Sequence, residues 1–263
     1  QFKGDTLALK ALLAGELDSY EGNPGSPMVA ASRGADIKLV GCYWPGLTYA
    51  IYSTASIKSP AELKGKTFAI SAPGALPDLV ARAVLAQNNV SAADVKFTIM
   101  GSDADRFKAL TAGIVDAAAA SSGFAPEAEK AGVKMLVHAI EAVPNYIRFC
   151  IYSTGKMLAA RKDDVARFLA AEMAGFRHAL ANREQTLALT REITLAKPDN
   201  PLPAFTYDEM KRLAAVDPDM PIPMNKLAWM RDLLVTTGNL TKSIDLEAFV
   251  DADVRTKALQ IAK

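Results

Sequence analysis

The chain has 263 residues, half of them apolar, with 30 basic against 29 acidic side chains and a net charge of +1. It is therefore globular rather than disordered, long enough to bury roughly three quarters of its surface in one large or two small domains, and not built around a nucleic-acid surface dominated by charge. No apolar run approaches the roughly 18 residues that a membrane-spanning helix needs, and a chain that starts at Gln1, with neither Met nor a signal peptide, reads as processed or as a fragment.

From the N-terminus, Phe2 and Lys3 read as the end of a strand, and Gly4-Asp5-Thr6 opens a helix with Asp5 or Thr6 as its N-cap. A strand over Leu17–Glu21 leads into the turn-rich run Gly22-Asn23-Pro24-Gly25-Ser26-Pro27, which feeds a helix with Ser26 as N-cap and Pro27 at its first position. Ile37–Cys42 is the next strand, followed by an aromatic loop, Tyr43-Trp44-Pro45-Gly46, and a crossing strand over Tyr49–Ser53.

A second lobe opens with a helical turn before Gly65 and a strand over Thr67–Ile70. The loop Ser71–Leu76 and a helix from Pro77 to about Asn88 follow, then a strand over Lys96–Met100 and a helix entered through Gly101–Asp105. A strand over Val115–Ala119, the loop Ser121–Phe124, a helix from Pro126, a strand over Lys134–Val137 and a return crossing over Ile147–Ser153 complete it. Strands and helices alternating at this spacing predict parallel sheet flanked by helices. From Asp163 onward the pattern is helical: Asp163 to about Asn182, Glu184–Ala196, a helix capped by Thr206 with Glu209 three residues on as a capping box, and Asn225–Thr237. This tail is assigned to the first lobe.

Two internal echoes set the architecture. Lys10–Asp18 recurs 98 positions later as Lys108–Asp116 with six of nine positions identical. Leu9, Leu12 and Leu13, like Phe107, Leu110 and Thr111, fall at the i, i+3, i+4 spacing of one helix face. Gly15 and Gly113 follow as left-handed caps, each ahead of a strand beginning near Asp18 or Asp116. Ile51-Tyr52-Ser53-Thr54 then reappears unchanged as Ile151–Thr154. The expectation is two similar α/β lobes joined by two crossing strands, residues 1–52 with 154–263 and residues 53–153.

Cys42 and Cys150 both fall on strand-like segments, where burial as small apolar groups is the usual fate; a disulfide stays open if the chain is exported. Together with His138 and His178 they make no metal spacing, and both histidines read as structural.

The run Ile57–Lys66 resembles the Leu-Lys-Gly-Lys segment of extracytoplasmic solute-binding proteins of ABC importers. Ser71–Arg82, Arg106–Ala118 and the Trp229–Gly238 tail helix point to the branch that binds nitrate, sulfonates, taurine and thiamine precursors. The resemblance covers nearly the whole chain and implies a periplasmic-binding-protein type II fold: two lobes, a ligand in the cleft between them, and hinge closure on binding. It also implies an extracytoplasmic location, an ABC permease as partner, no cofactor, no nucleic acid and a monomer. Members of that family usually begin with a strand, a helix and a second strand ahead of the Gly4-Asp5 segment, a unit missing from these residues.

In open parallel sheets, ligands sit beyond the carboxyl ends of the strands, which makes the loops Gly22–Ser26, Ser71–Leu76, Gly101–Asp105 and Ser121–Phe124 the candidate site. Asn23, Ser26, Ser71, Ser121 and Ser122 supply neutral donors and acceptors, and Trp44, Phe124 and Tyr146 supply faces for a flat ring. Gly74, Ala75 and Leu76 precede a helix with no side-chain cap, whose free N–H groups suit an anionic or carbonyl oxygen. The lack of hydroxyls at Ala75 and Leu76 tells against a bare oxyanion such as nitrate or a simple sulfonate. Asp103, Asp105 and Arg106 are charged candidates, with N-capping the plainer role for the two aspartates. No Ser/His/Asp or paired-carboxylate arrangement is assignable. The expected function is capture of a small organic ligand (an aromatic or heterocyclic acid or amide, a sulfonate or a pyrimidine-like molecule) without chemistry. A ligand-sensing module, or a pyrimidine-synthase-like enzyme on the same fold, is the alternative.

Overall fold

The computed structural model describes residues 5–262, with the side chains of Asp5 and Thr6 left aside; the strand end expected at Phe2–Lys3 and the cap of the first helix lie outside the described residues. The chain divides into two compact units, one formed by residues 1–46, 146–199 and 210–263 and the other by residues 47–145 and 200–209.

The first unit is built on a three-stranded sheet in the order β1-β8-β2, where β1 is Tyr20–Gly22, β2 is Lys38–Trp44 and β8 is Phe149–Ser153. β8 runs antiparallel to both neighbours, so β1 and β2 point the same way on either side of it. Around the sheet lie α1 (Asp5–Leu13), α2 (Gly25–Ser32), α7 (Gly155–Ala181), α8 (Arg183–Thr194), α10 (Met224–Thr236), α11 (Leu246–Phe249) and α12 (Ala252–Ile261). Val40, Tyr43 and Ile151 of the sheet, Leu158, Val165, Leu169 and Met173 of α7, and Val254 and Ala258 of α12 form one core.

The second unit holds a five-stranded sheet in the order β5-β4-β6-β3-β7. Its strands are β3 (Tyr49–Thr54), β4 (Thr67–Ile70), β5 (Lys96–Ile99), β6 (Ala117–Ser121) and β7 (Val133–His138). β4 runs parallel to β5 and β6, while β3 is antiparallel to β6 and β7. The helices α3 (Leu76–Gln87), α4 (Asp103–Thr111), α5 (Ala125–Lys130) and α6 (Ala139–Ala142) connect these strands, and α9 (Leu202–Arg212) begins in this unit.

The two sequence echoes have the same structural meaning. Gly15 and Gly113 adopt φ of 79° and 72°, the left-handed region open to glycine without a Cβ penalty. Across the tetrapeptide copies the register also repeats: Tyr52 faces Ala118 and Ile51 faces Ala119 on β6, while Tyr152 faces Tyr20 and Ile151 faces Glu21 on β1. Ala118 and Ala119 follow Tyr20 and Glu21 by the same 98 positions. One detail of the expected helix face differs. Leu13 and Thr111 face outward, and Ala11 and Ala109 are buried instead beside Leu9, Leu12, Phe107 and Leu110.

Several boundaries depart from the sequence reading for local reasons. The Ser26 cap is not formed: α2 starts at Gly25, because the Asn23 side chain accepts the Gly25 N–H at 3.0 Å and ends the preceding turn. β2 continues through Tyr43 to Trp44, which pairs with Phe149, so the aromatic run is strand rather than loop. Thr206 does not cap a helix: α9 starts at Leu202, whose N–H is bound by the Asn200 side chain at 2.9 Å, and Glu209 turns to partners distant in sequence. Tyr49–Thr54 lies wholly in the second unit's sheet and Phe149–Ser153 wholly in the first's, and residues 200–209 belong to the second unit although the tail was assigned to the first. The tail also supplies one parallel bridge to the first unit's sheet, Val250 to Leu39.

Cys42 and Cys150 are joined in a disulfide between β2 and β8, with an S–S distance of 2.04 Å. Both cysteines are buried, as expected, and the disulfide that the sequence leaves open is formed because the pairing of these strands sets the two side chains against each other across 108 positions of sequence.

Candidate functional site

In the first unit, β1 and β2 end at the edge of the sheet from which β8 starts. That edge gathers Asn23, Trp44 and the segment Tyr146–Arg148, with Ser26 in the first turn of α2. Asn23 is buried and holds its Asx turn. Trp44 packs edge-on to Phe149, and the Arg148 guanidinium lies 5.1 Å from the Trp44 ring and 5.2 Å from the Phe149 ring, a cation held by two π faces. The buried Trp44 Nε1–H has no hydrogen-bond partner among the described residues. Tyr146 is fully buried, its ring edge-on to Trp229. Beside this group the Tyr43 hydroxyl donates to Glu21 at 2.7 Å; burial first, then the Glu21 charge, raises the Tyr43 pKa. Burial and the same charge also raise that of Glu172 on α7.

In the second unit, the carboxyl ends of β4, β5, β6 and β7 lie along one edge of the sheet, where β3 begins. The loops there contain Ser71, Gly74, Ala75, Leu76, Asp103, Ser121, Ser122 and Phe124. Ala75 is the N-cap of α3 and makes no side-chain cap bond, as expected from the missing hydroxyls. Asp78, one turn on and fully buried, reaches back to accept the Gly74 N–H at 2.7 Å and binds Arg82 Nε at 2.7 Å.

Asp103 does more than start α4. The cap is Ser102, in a capping box with Asp105, and those Ser102 bonds hold the Asp105 carboxyl below its ordinary pKa. Asp103 instead accepts the Ser121 N–H at 2.9 Å and the Tyr49 hydroxyl at 2.9 Å and pairs with the buried Arg106. Arg106 also donates to Ala119 O at 2.8 Å, to Tyr49 Oη at 2.8 Å and to Gly101 O. These four bonds tie the start of β3 and the ends of β5 and β6 to α4.

Ser122 and His138 meet on Glu209. Ser122 Oγ donates to Glu209 Oε2, and His138 Nε2 lies 2.9 Å from Oε1. Ser122 is fully buried and Glu209 nearly so. The Tyr52 hydroxyl caps the group by donating to the carbonyls of Ser121 and Ser122 at 2.9 and 3.0 Å, and burial followed by the charges of Glu209 and Asp103 raises its pKa. α9 approaches so closely that a Cβ on Gly123 would stand 2.6 Å from Leu202 and 2.9 Å from Thr206. Phe124 stacks on Phe107 at 4.6 Å.

The structure therefore places Asn23, Ser26, Trp44 and Tyr146 at one edge of the first unit and the other eight candidate residues at one edge of the second. Tyr49, Asp78, His138 and Glu209 were not singled out as site residues. Asp78 was legible as an i, i+4 partner of Arg82; Glu209 was not, because its partners lie 71 and 87 positions away. Among the described residues no group of His, Cys, Asp and Glu side chains is arranged to hold a metal ion, and no helix is long and apolar enough to cross a membrane.

The family described as NMT1/THI5 like matches residues 3–186. No curated protein matches at the level of sequence. The fold is similar to that of a ligand-binding component of an ABC-type import system from Staphylococcus aureus, with a TM-score of 0.77 at 18% identity over 98% of this chain and 86% of that one. It is likewise similar to the periplasmic aliphatic sulphonate binding protein SsuA from Escherichia coli, with a TM-score of 0.77 at 22% identity over 95% and 80%. The desulfurization enzyme DSZB shares the fold at a TM-score of 0.68 and 16% identity over 94% and 87%.

Proposed function

The chain belongs to the NMT1/THI5-like family, and on that premise we propose that it is the solute-binding component of an ABC importer, capturing a small organic molecule at its strand-end loops and delivering it to a membrane permease. The observation that carries a binding rather than a catalytic role is the wiring of Ser122. Its hydroxyl donates to Glu209 and not to His138, so the order serine–histidine–carboxylate of a triad is not formed, and with Ser122 fully buried the group acts as a lock on α9. The Cys42–Cys150 disulfide supports an extracytoplasmic location, where such bonds persist. The aromatic groups Trp44 and Phe124 favour a ligand with a flat ring.

A thermal-shift screen against nitrate, alkyl and aryl sulfonates, aromatic carboxylates, aromatic amides and pyrimidines tests the reading. A ligand of the folded state raises the melting temperature in step with its concentration, so at least one compound is expected to give a saturating shift and to be recovered chemically unchanged. Turnover of that compound would favour the enzyme alternative, which the fold of DSZB keeps in view. A chain that melts cooperatively and responds to none of them would sink the binding reading.

A further inference from the structure

Resting on that reading, we infer that the strand-end loops of the second unit take a neutral or cationic solute that offers hydrogen-bond donors, and that Asp78 and Asp103 set this preference by standing where an oxyanion would otherwise bind. Backbone N–H groups at the carboxyl ends of parallel strands are the usual holders of nitrate, sulfonate or carboxylate oxygens. At this edge many of them are already taken by the chain itself. The Gly74 N–H goes to Asp78 at 2.7 Å, the Ser121 N–H to Asp103 at 2.9 Å and the Ser102 N–H to Asp105 at 3.1 Å. The Ser122 N–H goes to the Thr48 carbonyl at 3.4 Å and the Gly123 N–H to the Ser121 hydroxyl at 3.3 Å.

Several side-chain donors are spent in the same way. Ser122 gives its proton to Glu209 and Ser102 to Asp105, Tyr49 bonds Asp103, and Tyr52 bonds two carbonyls. Two cations are committed as well, Arg82 to Asp78 and Arg106 to Asp103. The carboxylates of Asp78, Asp103, Asp105 and Glu209 thus lie among the same loops as these two guanidinium groups and His138.

An incoming anion directed at the Gly74, Ser102 or Ser121 N–H would have to displace a carboxylate and would meet the remaining negative charge, an arrangement that rejects the wrong ligand by repulsion and unpaired groups. A donor-bearing neutral or cationic group meets acceptors instead. Asp103, whose side chain is 34% exposed, retains about one acceptor site beyond those given to Ser121, Tyr49 and Arg106.

The test is a set of probes on one ring: 3-(aminomethyl)pyridine, pyridine-3-carboxamide, pyridine-3-carboxylate and pyridine-3-sulfonate, with nitrate as the bare anion, each titrated by thermal shift against the wild-type chain and against Asp103→Asn and Asp78→Asn. The expected result is a saturating shift with the amine or the amide, none with the carboxylate, sulfonate or nitrate, and at least a tenfold gain in anion affinity in one of the two variants, which keep the side-chain shape and lose the charge. Should either variant fail to fold, the other and the wild-type ranking still decide. A wild-type preference for the sulfonate, carboxylate or nitrate would overturn the inference while leaving the binding reading intact. No shift from any probe, together with none from the wider screen, would remove both.

Discussion

Gly15 and Gly113 end their helices with the same pair of backbone bonds. The Gly15 N–H reaches Leu12 O and the Glu16 N–H reaches Ala11 O; 98 positions on, Gly113 reaches Leu110 O and Ile114 reaches Ala109 O, at matching distances of 3.0 and 2.9 Å. The two units therefore share a helix, a cap and a strand paired in one register. A Cβ at either glycine meets nothing within 4 Å, so only the left-handed backbone opposes substitution. Gly15→Ala and Gly113→Ala are each expected to cost about 1–2 kcal/mol, equally within error, in urea unfolding. A cost at one site alone would contradict the equivalence.

Reduction of Cys42–Cys150 opens a loop of about 100 residues, whose closure constrains the unfolded chain by roughly 2–5 kcal/mol. Melting with and without a thiol reductant is expected to show a fall of roughly 5–15 °C on reduction, and Cys42→Ala with Cys150→Ala should reproduce it.

Glu209 accepts from two groups at once. Glu209→Ala strands Ser122 Oγ and His138 Nε2 in a buried site, and a loss of about 1.5–3 kcal/mol follows from hydrogen bonds made to a charged acceptor. Glu209→Gln keeps an acceptor for Ser122 and is expected to cost less. A double-mutant cycle between Glu209→Ala and Ser122→Ala should show a coupling of at least about 0.5 kcal/mol; strict additivity would mean the bond adds no stability.

Burial, with the charge of Glu21, raises the pKa of Glu172 above its ordinary value. The folded state then binds more protons than the unfolded one between the ordinary and the raised value, so stability falls as pH rises through that window. Glu172→Gln removes this loss. The variant is expected to melt above wild type at pH 7–8, with the difference closing toward about pH 4; a constant offset at all pH values would assign the effect to packing.

Much of the fold was legible where the signal is local. Thr67–Ile70 has the bounds read from its residues, and the Lys10 and Lys108 copies showed their helices and glycine caps because both depend on neighbours within one turn. Where two side chains compete for the same local role, sequence alone does not rank them: Asn23 rather than Ser26 acts at α2, and Asn200 rather than Thr206 at α9. What was not legible rests on contacts distant in sequence. The disulfide needs the β2–β8 pairing, and Glu209 looked like a capping residue because Ser122 and His138 are adjacent to it only in the fold. Asp103 shows the same limit at the site: as the first residue of a helix it reads as a cap, and its bonds to Tyr49 and Ser121 reassign it.

The central claim is that this chain binds a solute and leaves it intact. Equilibrium dialysis of the purified chain against a mixture of small aromatic and heterocyclic compounds, followed by mass spectrometry of what the protein retains, tests it most directly. The account predicts one compound retained at about one molecule per chain and unaltered on release. Retention of none, or release of a converted product, would contradict it.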